Sequence, residues 1–232
     1  MKRWLIGGIV VVLVLVVGGP YVYIHFIEGK APAPLTLSQT PTTVTGSTAT
    51  TGAQSTSAAT IDGKWNVATG SVAGYRIKET LFGQSNTAVG RTNTITGSIT
   101  IAGTQVTAGQ FSVDMTTVKS DSSQRDDQFQ GRIMDTSSFP TATFALTQPI
   151  SLSSVPPDGT TVSATATGKL TLHGATKTVT FPVQAKRSGS TISVSGTIPV
   201  TFADYGVDNP SGGPATTDSS GSLEFLLNFS HG

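Results

Sequence analysis

Apolar and polar residues alternate with a period of two from Ile61 onward, which is typical of strands with one buried and one wet face. In residues 161–172 the even positions are small or apolar and the odd positions are polar. The same phase returns at Val179, after a predicted turn built on residues 173–176, so the two runs predict a hairpin. Similar segments contain Trp65, Tyr75, Ile95, Phe111, Ala142, Ile192 and Leu223. The pattern therefore predicts an all-β domain of about nine segments, some of them halves of bent strands.

Closure of this sheet into an antiparallel barrel of about eight strands is the expected architecture. A sheet of that size without covering helices would otherwise expose its edges and an apolar face. Gly97, Gly168 and Gly196 lie inside predicted strands and indicate bends where the sheet curls. An eight-stranded interior can be filled by side chains or can hold one ligand. These glycines and the inward-facing alanines 142, 164 and 166 favour room for a ligand, with tight packing around Phe and Leu as the alternative.

One short helix is predicted near Ser123. The spacing from Ser123 to Asp126 matches a capping box, and Asp126 and Asp127 suit the first turn of a helix. Phe129 and Ile133, four residues apart, would pack one side of this helix on the barrel.

The first thirty residues predict a membrane anchor. Trp4 to Ile27 contains no Lys, Arg, Asp or Glu, and a helix of that length is about 36 Å long, enough to cross a bilayer. Lys2 and Arg3 precede the span, which favours a cytoplasmic N-terminus and an extracytoplasmic remainder. A signal peptide cleaved near residues 31–33 is the alternative. The expected location is the cell membrane, with a single span.

Residues 31–60 carry no charged side chain and consist mainly of Thr, Ser, Ala, Pro and Gly. Such a composition predicts a disordered linker, with a root-mean-square span of roughly 30 Å. The expected organisation is an anchor in residues 1–30, a flexible linker in 31–60 and the β-barrel domain in 61–232.

Composition excludes several classes of function. The 14 Lys and Arg and 13 Asp and Glu are scattered, so nucleic acid is not an expected partner. The absence of Cys excludes disulfides and thiolate sites, and the three His residues do not predict a metal site. We find neither a G-x-S-x-G motif nor closely spaced paired carboxylates, so the chain is not expected to be an enzyme.

Several motifs spread over residues 64–230 carry a family resemblance. The most specific is residues 168–177, GKLTLHGATK, close to the pattern G-x-L-T-L-x-G-V-T-K. Others are Trp65-Asn66-Val67, the Arg125-Asp126 pair, Phe139-Pro140 and Asp204-Tyr205-Gly206-Val207. In these features the chain resembles the YceI-like, polyisoprenoid-binding family. It departs from the pattern at Glu79 and Gln128, where that family often has His.

The resemblance implies a lipocalin-like barrel around a long isoprenoid chain and no established catalytic residue. The expected partner is an isoprenoid lipid or isoprenoid-tailed quinone, with no other cofactor; a homodimer is compatible with the sequence. Arg125 and Asp126 are candidates for contact with a lipid head group, or for a purely structural role at the helix. The candidate ligand-binding residues are Tyr75, Ile77, Ile99, Phe111, Val113, Arg125, Asp126, Phe144, Leu170, Phe181 and Val183. The alternative is a surface interaction module whose barrel is filled and binds no ligand.

Overall fold

The computed structural model describes residues 31–37, 61–212 and 215–232. Within these residues the chain forms one antiparallel sheet of twelve strands. The strands are β1 (Gly63–Val67), β2 (Val72–Leu81), β3 (Gln84–Thr92), β4 (Ile95–Ala102), β5 (Gln105–Asp114), β6 (Thr141–Leu146), β7 (Ile150–Ser151), β8 (Thr161–Leu172), β9 (Ala175–Ser188), β10 (Thr191–Thr201), β11 (Ala215–Thr217) and β12 (Ser220–His231).

Eight of these strands form a closed ring in the order β1, β4, β5, β6, β8, β9, β10, β12. The ring closes because β12 pairs back onto β1, with Phe229 opposite Val67. The β8–β9 and β10–β12 pairs are the longest, with twelve and eleven residues in register. The predicted all-β antiparallel barrel of about eight strands is confirmed.

The β2–β3 hairpin extends the barrel wall beyond β1. β2 pairs with β12, where Tyr75 lies opposite Leu223, and β3 pairs with β2 on its other side. Phe82 and Gly83 form the tip with φ of 50° and 76°, the positive values that two-residue hairpin turns require. The sequence did not predict β3, because QSNTAVGRT lacks clean alternation, and the short β7 and β11 were not predicted either.

The predicted turn between β8 and β9 is shorter in the structure. It consists of His173 and Gly174 alone, with φ of 49° and 75°, whereas Ala175 and Thr176 already pair in β9. Gly174 tolerates this backbone at no steric cost, and the glycine lets the hairpin turn within two residues.

Helix α1 (Ser123–Gln128) continues into a π-helical turn (Phe129–Ile133). Its N-cap is Ser122 and not Ser123, with the Ser122 hydroxyl oxygen accepting from the Arg125 amide at 3.4 Å. The predicted capping box is therefore wrong. Asp126 accepts from the backbone and side chain of Ser120 at 2.7 and 2.8 Å. Shorter 3₁₀ turns lie at Met115–Thr117 and Phe202–Tyr205.

The apolar core divides into two clusters along the barrel. One surrounds the end that carries α1 and includes Tyr75, Phe129 and Phe181. The other lies at the opposite end, on one side of the barrel interior, around Trp65 and Phe229. Phe129, whose packing on the barrel was predicted, is buried in the first cluster.

The predicted anchor and most of the predicted linker lie outside the described residues. Within the described ranges no helix has the length and apolar character that a membrane crossing requires. Residues 31–37, which the sequence assigned to the linker, lie against the barrel wall, with Leu35 buried. This part of the linker is therefore in contact with the folded domain.

Candidate functional site

The barrel encloses a cavity of about 1520 Å³. At one end, which we call the mouth, it is bordered by the β2–β3 tip, α1 and the loop before β11, through Phe82, Gln124 and Pro210. At the other end its lining includes Val106 and Val162. The volume exceeds the usual range of small-molecule pockets, about 300–1,000 Å³, and does not fit the alternative of a barrel filled by its own side chains.

Aromatic rings form much of the cavity wall. Phe144 lies 5.4 Å from Phe181 and 6.4 Å from Phe111, measured between ring centroids. Phe181 continues the series to Phe225 at 6.0 Å, and Phe111 reaches Phe229 at 5.8 Å. Stacked, tilted and edge-to-face contacts of this kind stabilise the wall beyond simple area burial. The cavity is therefore surrounded by a continuous belt of five phenylalanines.

The glycines expected to leave room for a ligand are covered by these rings. A Cβ at Gly97 would lie 2.8 Å from the Phe111 side chain. At Gly168 and Gly196 it would lie 2.3 and 2.6 Å from the rings of Phe144 and Phe225. The interpretation of these glycines as free space is wrong. Because each ring lies close over a residue without a side chain, the ring stays near the wall and the centre of the barrel stays open.

At the far end, one side of the barrel is filled. Trp65, Ile101 and Ile192 pack with Phe229 in the second core cluster, and the Trp65 indole donates to the Ile61 carbonyl at 2.8 Å. These three residues are not part of the cavity lining. At that end the cavity follows the opposite wall, towards β7 and the start of β8.

A polar cluster, the inner cluster, lies at the mouth and consists of Glu79, Asn86, Asp121 and Arg125. The Arg125 guanidinium donates to Glu79 Oε1 at 3.4 Å and to the Asp121 carboxylate, its ion-pair partner four residues earlier. Asn86 also donates to Glu79 Oε1, at 2.9 Å. Glu79 and Arg125 both line the cavity. Within this cluster the single guanidinium is matched by two carboxylates.

Tyr75 lies next to the inner cluster and its ring stacks on Phe129, with centroids 5.0 Å apart. Burial raises the pKa of the Tyr75 phenol well above its ordinary value, and Arg125 partly opposes this shift. The hydroxyl is therefore protonated throughout the physiological range. Gly90 makes space for the ring, since a Cβ there would lie 2.4 Å from it.

Ten of the eleven candidate residues line the cavity; these are Tyr75, Ile77, Ile99, Phe111, Val113, Arg125, Phe144, Leu170, Phe181 and Val183. Asp126 does not. It is buried, accepts from Ser120, and lies 3.5 Å from the Lys119 ammonium. Adjacent residues of one helical turn point in different directions, so Arg125 faces the cavity whereas Asp126 has a structural role. Contact of the ten with a ligand stays a prediction.

Sequence reasoning did not propose Glu79 as a site residue. The signal was present, because Glu79 follows Tyr75 and Ile77 at intervals of two on β2 and so shares their inward face. Asn86 belongs to the unpredicted strand β3, and no pattern in the sequence indicated it.

The described part of the chain contains no group of three or more His, Cys, Asp or Glu residues placed to hold a metal ion. His173 packs against Phe139, with ring centroids 4.6 Å apart, and its Nδ1 lies 3.2 Å from the Tyr205 carbonyl oxygen. These contacts give His173 a structural role at the β8–β9 turn.

Comparison with known proteins agrees with this geometry. The family model described as YceI-like domain matches residues 65–229. A solved polyisoprenoid-binding domain from Saccharophagus degradans, implicated in plant cell wall breakdown, is similar with a TM-score of 0.57 and 15% identity, over 73% of this chain and 98% of that one. BcnA from Burkholderia cenocepacia is similar with a TM-score of 0.52 and 19% identity, over 66% and 95%. No curated protein matches the chain.

Proposed function

Because the chain belongs to the YceI-like family, we propose that it is a binding protein that holds an isoprenoid lipid inside its barrel. The observation that carries this proposal is the cavity of about 1520 Å³ with its belt of phenylalanines. A branched, flexible hydrocarbon chain matches such a lining, since it offers only apolar surface. Storage, transport or protection of the lipid requires no turnover, and the proposal assigns no catalytic residue.

Apolar burial is large enough to hold such a ligand. An isoprenoid tail that buries on the order of 500 Å² gains roughly 12 kcal/mol before the cost of ordering its torsions. That gain supports micromolar binding without any charged contact.

The inner cluster favours an uncharged polar head group. Arg125 already pairs with Glu79 and Asp121, so the cluster as a whole is negative. The other charged residues of the mouth, Asp127 and Arg132, are of opposite sign. A phosphate or diphosphate head would meet net repulsion, whereas a quinone or hydroxyl head could exchange hydrogen bonds with Arg125 and the protonated Tyr75.

The proposal also places the protein at the cell membrane, with the barrel outside the cytoplasm. Support comes from the uncharged stretch Trp4–Ile27 and the preceding Lys2 and Arg3. An anchored barrel would exchange its lipid with the bilayer from which isoprenoid lipids come.

Native mass spectrometry of the full chain released from detergent tests the proposal. We expect a bound species whose extracted mass corresponds to an isoprenoid lipid. The variant Ala164→Phe places a ring in the cavity from β8 and should reduce the fraction of that species. Thr165→Phe places the same ring on the exposed face of β8 and is the matched control. Absence of bound lipid in the native chain, together with no rise in melting temperature on adding isoprenoid quinone, would contradict the proposal.

A further inference from the structure

A second polar cluster, the outer cluster, lies on the outside of the barrel wall and consists of Arg76, Arg91 and Glu224. Glu224 is only 2% exposed. It accepts from Arg76 Nε at 3.2 Å and from Arg91 Nη2 at 2.7 Å. Glu224 is among the residues that border the cavity, but strand alternation places its carboxylate and both guanidinium groups outward, because Tyr75 beside Arg76 and Phe225 beside Glu224 point into the barrel. An outward carboxylate so well buried must be covered by another part of the chain.

Residues 31–37 provide that cover and bond to all three members of the outer cluster. The Pro32 carbonyl accepts from Arg76 Nη2 at 2.6 Å, and the Ala33 carbonyl accepts from Arg91. The Leu35 amide donates to Glu224 Oε2 at 3.4 Å. Pro32 and Pro34 have no N–H to donate, so this extended segment presents carbonyl oxygens to the guanidinium groups.

Burial of apolar side chains accompanies these bonds between residues 31–37 and the outer cluster. Leu35 is 8% exposed, although it belongs to a segment with the composition of a linker. Val89 on β3 and Leu226 on β12 have outward positions by strand alternation, and both are nevertheless buried. Apolar burial, the restricted backbone of two prolines and three polar contacts therefore hold residues 31–37 on the outside of the barrel.

We propose that residues 31–37 are a clasp that holds the barrel against the bilayer, with the β2–β3 tip resting on the lipid surface. The distance from the membrane is then set by the residues before the clasp. This inference rests on the membrane anchor of the proposed function.

Chain length limits how far the clasped barrel can stand from the bilayer. Ile27 ends the predicted span, and Pro32, five residues later, bonds to Arg76. Five extended residues reach at most about 18 Å. A free linker of thirty residues would average roughly 30 Å and extend much further. The outer cluster is therefore held close to the end of the span.

The β2–β3 tip is the part of the mouth suited to contact lipid. Phe82 is 48% exposed, and the residues that follow it, Gly83, Gln84 and Ser85, are uncharged. β2 and β3 also carry Arg76 and Arg91, so the clasped wall and the tip belong to the same hairpin. A Phe side chain at such a tip can insert at the boundary between lipid head groups and acyl chains. Since Phe82 also lines the cavity, this placement opens the mouth towards the lipid source.

Val155 marks the far end of the barrel. It is 44% exposed and lies three residues before Asp158, which pairs with Arg187 at 3.3 Å. Both ends of the barrel carry charged residues, so the proposed orientation rests on the clasp and on the uncharged β2–β3 tip.

Fluorescence quenching in liposomes tests this orientation. The chain has no Cys, so Phe82→Cys and Val155→Cys each give a single site for bimane labelling in the full chain. In phosphatidylcholine liposomes containing a lipid spin-labelled near the head group, we expect at least twofold stronger quenching at position 82 than at 155. Equal quenching at the two positions would overturn the clasp.

A second pair of variants tests the clasp itself. Leu35→Asp places a charge in the apolar seat and should reduce quenching at 82 to the level at 155. Thr36→Asp adds the same charge at the neighbouring exposed position and should leave it unchanged. Circular dichroism checks that the barrel is folded in both. Unchanged quenching in Leu35→Asp overturns the inference. Carbonate washing tests the anchor: if it removes the native chain from the liposomes, both the anchor and the clasp are overturned. Bound lipid is measured separately by mass spectrometry, so lipid binding is judged independently of the anchor and the clasp.

Discussion

Two arginine–glutamate clusters share strand β2 but face opposite sides of the barrel wall. Glu79 and Arg125 belong to the inner cluster at the mouth, whereas Arg76 and Glu224 belong to the outer cluster. Successive side chains of a strand point to opposite faces, and Arg76 and Glu79 are separated by an odd number of positions along β2, so they lie on opposite faces of the wall. Similar side chains are therefore used in two different environments.

The difference between the clusters lies in what completes them. Backbone groups of Pro32, Ala33 and Leu35 complete the outer cluster, so its bonds are satisfied within the chain. The inner cluster faces the cavity, where a ligand can replace or extend its bonds. Removing one partner of an ion pair closed by protein leaves a buried charge unpaired, which is costly, whereas charged groups that face a cavity are candidates for ligand recognition.

The largest expected effect comes from Glu224→Gln. This variant leaves two guanidinium groups on a covered wall with no carboxylate between them. Breaking a buried ion pair costs about 3–5 kcal/mol, and the partial exposure of both arginines reduces the expected loss in unfolding free energy to about 2–4 kcal/mol. Urea unfolding of the full chain in detergent measures it.

The matched control is Glu79→Gln, the same change in the inner cluster. Arg125 keeps a second carboxylate partner, Asp121, when Glu79 is neutralised, so we expect a smaller loss, about 1–2 kcal/mol. Equal losses in the two variants would mean that the clusters do not differ in the way described.

Arg125→Gln is the second prediction and concerns binding. Removal of the guanidinium should weaken an isoprenoid quinone about tenfold, because a hydrogen bond to a charged donor contributes about 1.5–3 kcal/mol. Binding of squalene, which has no polar head, should not change. Ligand titration by intrinsic fluorescence measures both. Arg76→Gln, the outer control, should lower stability without altering the preference between the two lipids; a preference that follows Arg76 contradicts the assignment.

Alternation made the closed ring predictable, because the inward positions are small or apolar throughout β8 and from Val179 to Ala185 in β9. The cavity-facing residues followed from the same rule, since an inward residue of a barrel lines whatever space the barrel encloses. Strand β3 was not predicted, because Val89 is buried on the side expected to face water, the same side on which Arg91 donates to the Ala33 carbonyl.

Details that depend on long-range contacts were not predictable. The cover over Glu224 comes from a residue 189 positions away in the chain, and no local pattern indicates such a partner. The glycines of β4, β8 and β10 had two interpretations, room for a ligand or tight packing around Phe and Leu, and the phenylalanine rings that lie over them support tight packing at these positions. Asp126 was assigned to the site because sequence adjacency to Arg125 does not specify direction.

Alkaline titration gives the third prediction and isolates Tyr75. Burial raises its folded-state pKa, whereas the unfolded value is about 10. The unfolded chain therefore releases this proton first, and stability falls as pH rises above about 10, with a limiting slope of about 1.4 kcal/mol per pH unit. Below that pH the contribution is constant. Tyr75→Phe should flatten this part of the profile by about 1 kcal/mol between about pH 10 and 11. An unchanged slope would show that the phenol is not responsible.

The smallest expected effect comes from Ser122→Ala at the start of α1. The Ser122 hydroxyl caps the helix that presents Arg125 to the mouth, but the bond is long at 3.4 Å. Loss of a cap costs about 0.5–2 kcal/mol, and this one should lie at the low end, about 0.5 kcal/mol. Because the change acts on the helix and not on the outer wall, quinone binding should weaken slightly while the Arg76–Glu224 contacts are unaffected. Chemical denaturation and the same ligand titration measure the two parts. A stability loss as large as that of Glu224→Gln would contradict the expectation that the outer wall is more critical for folding than the start of α1.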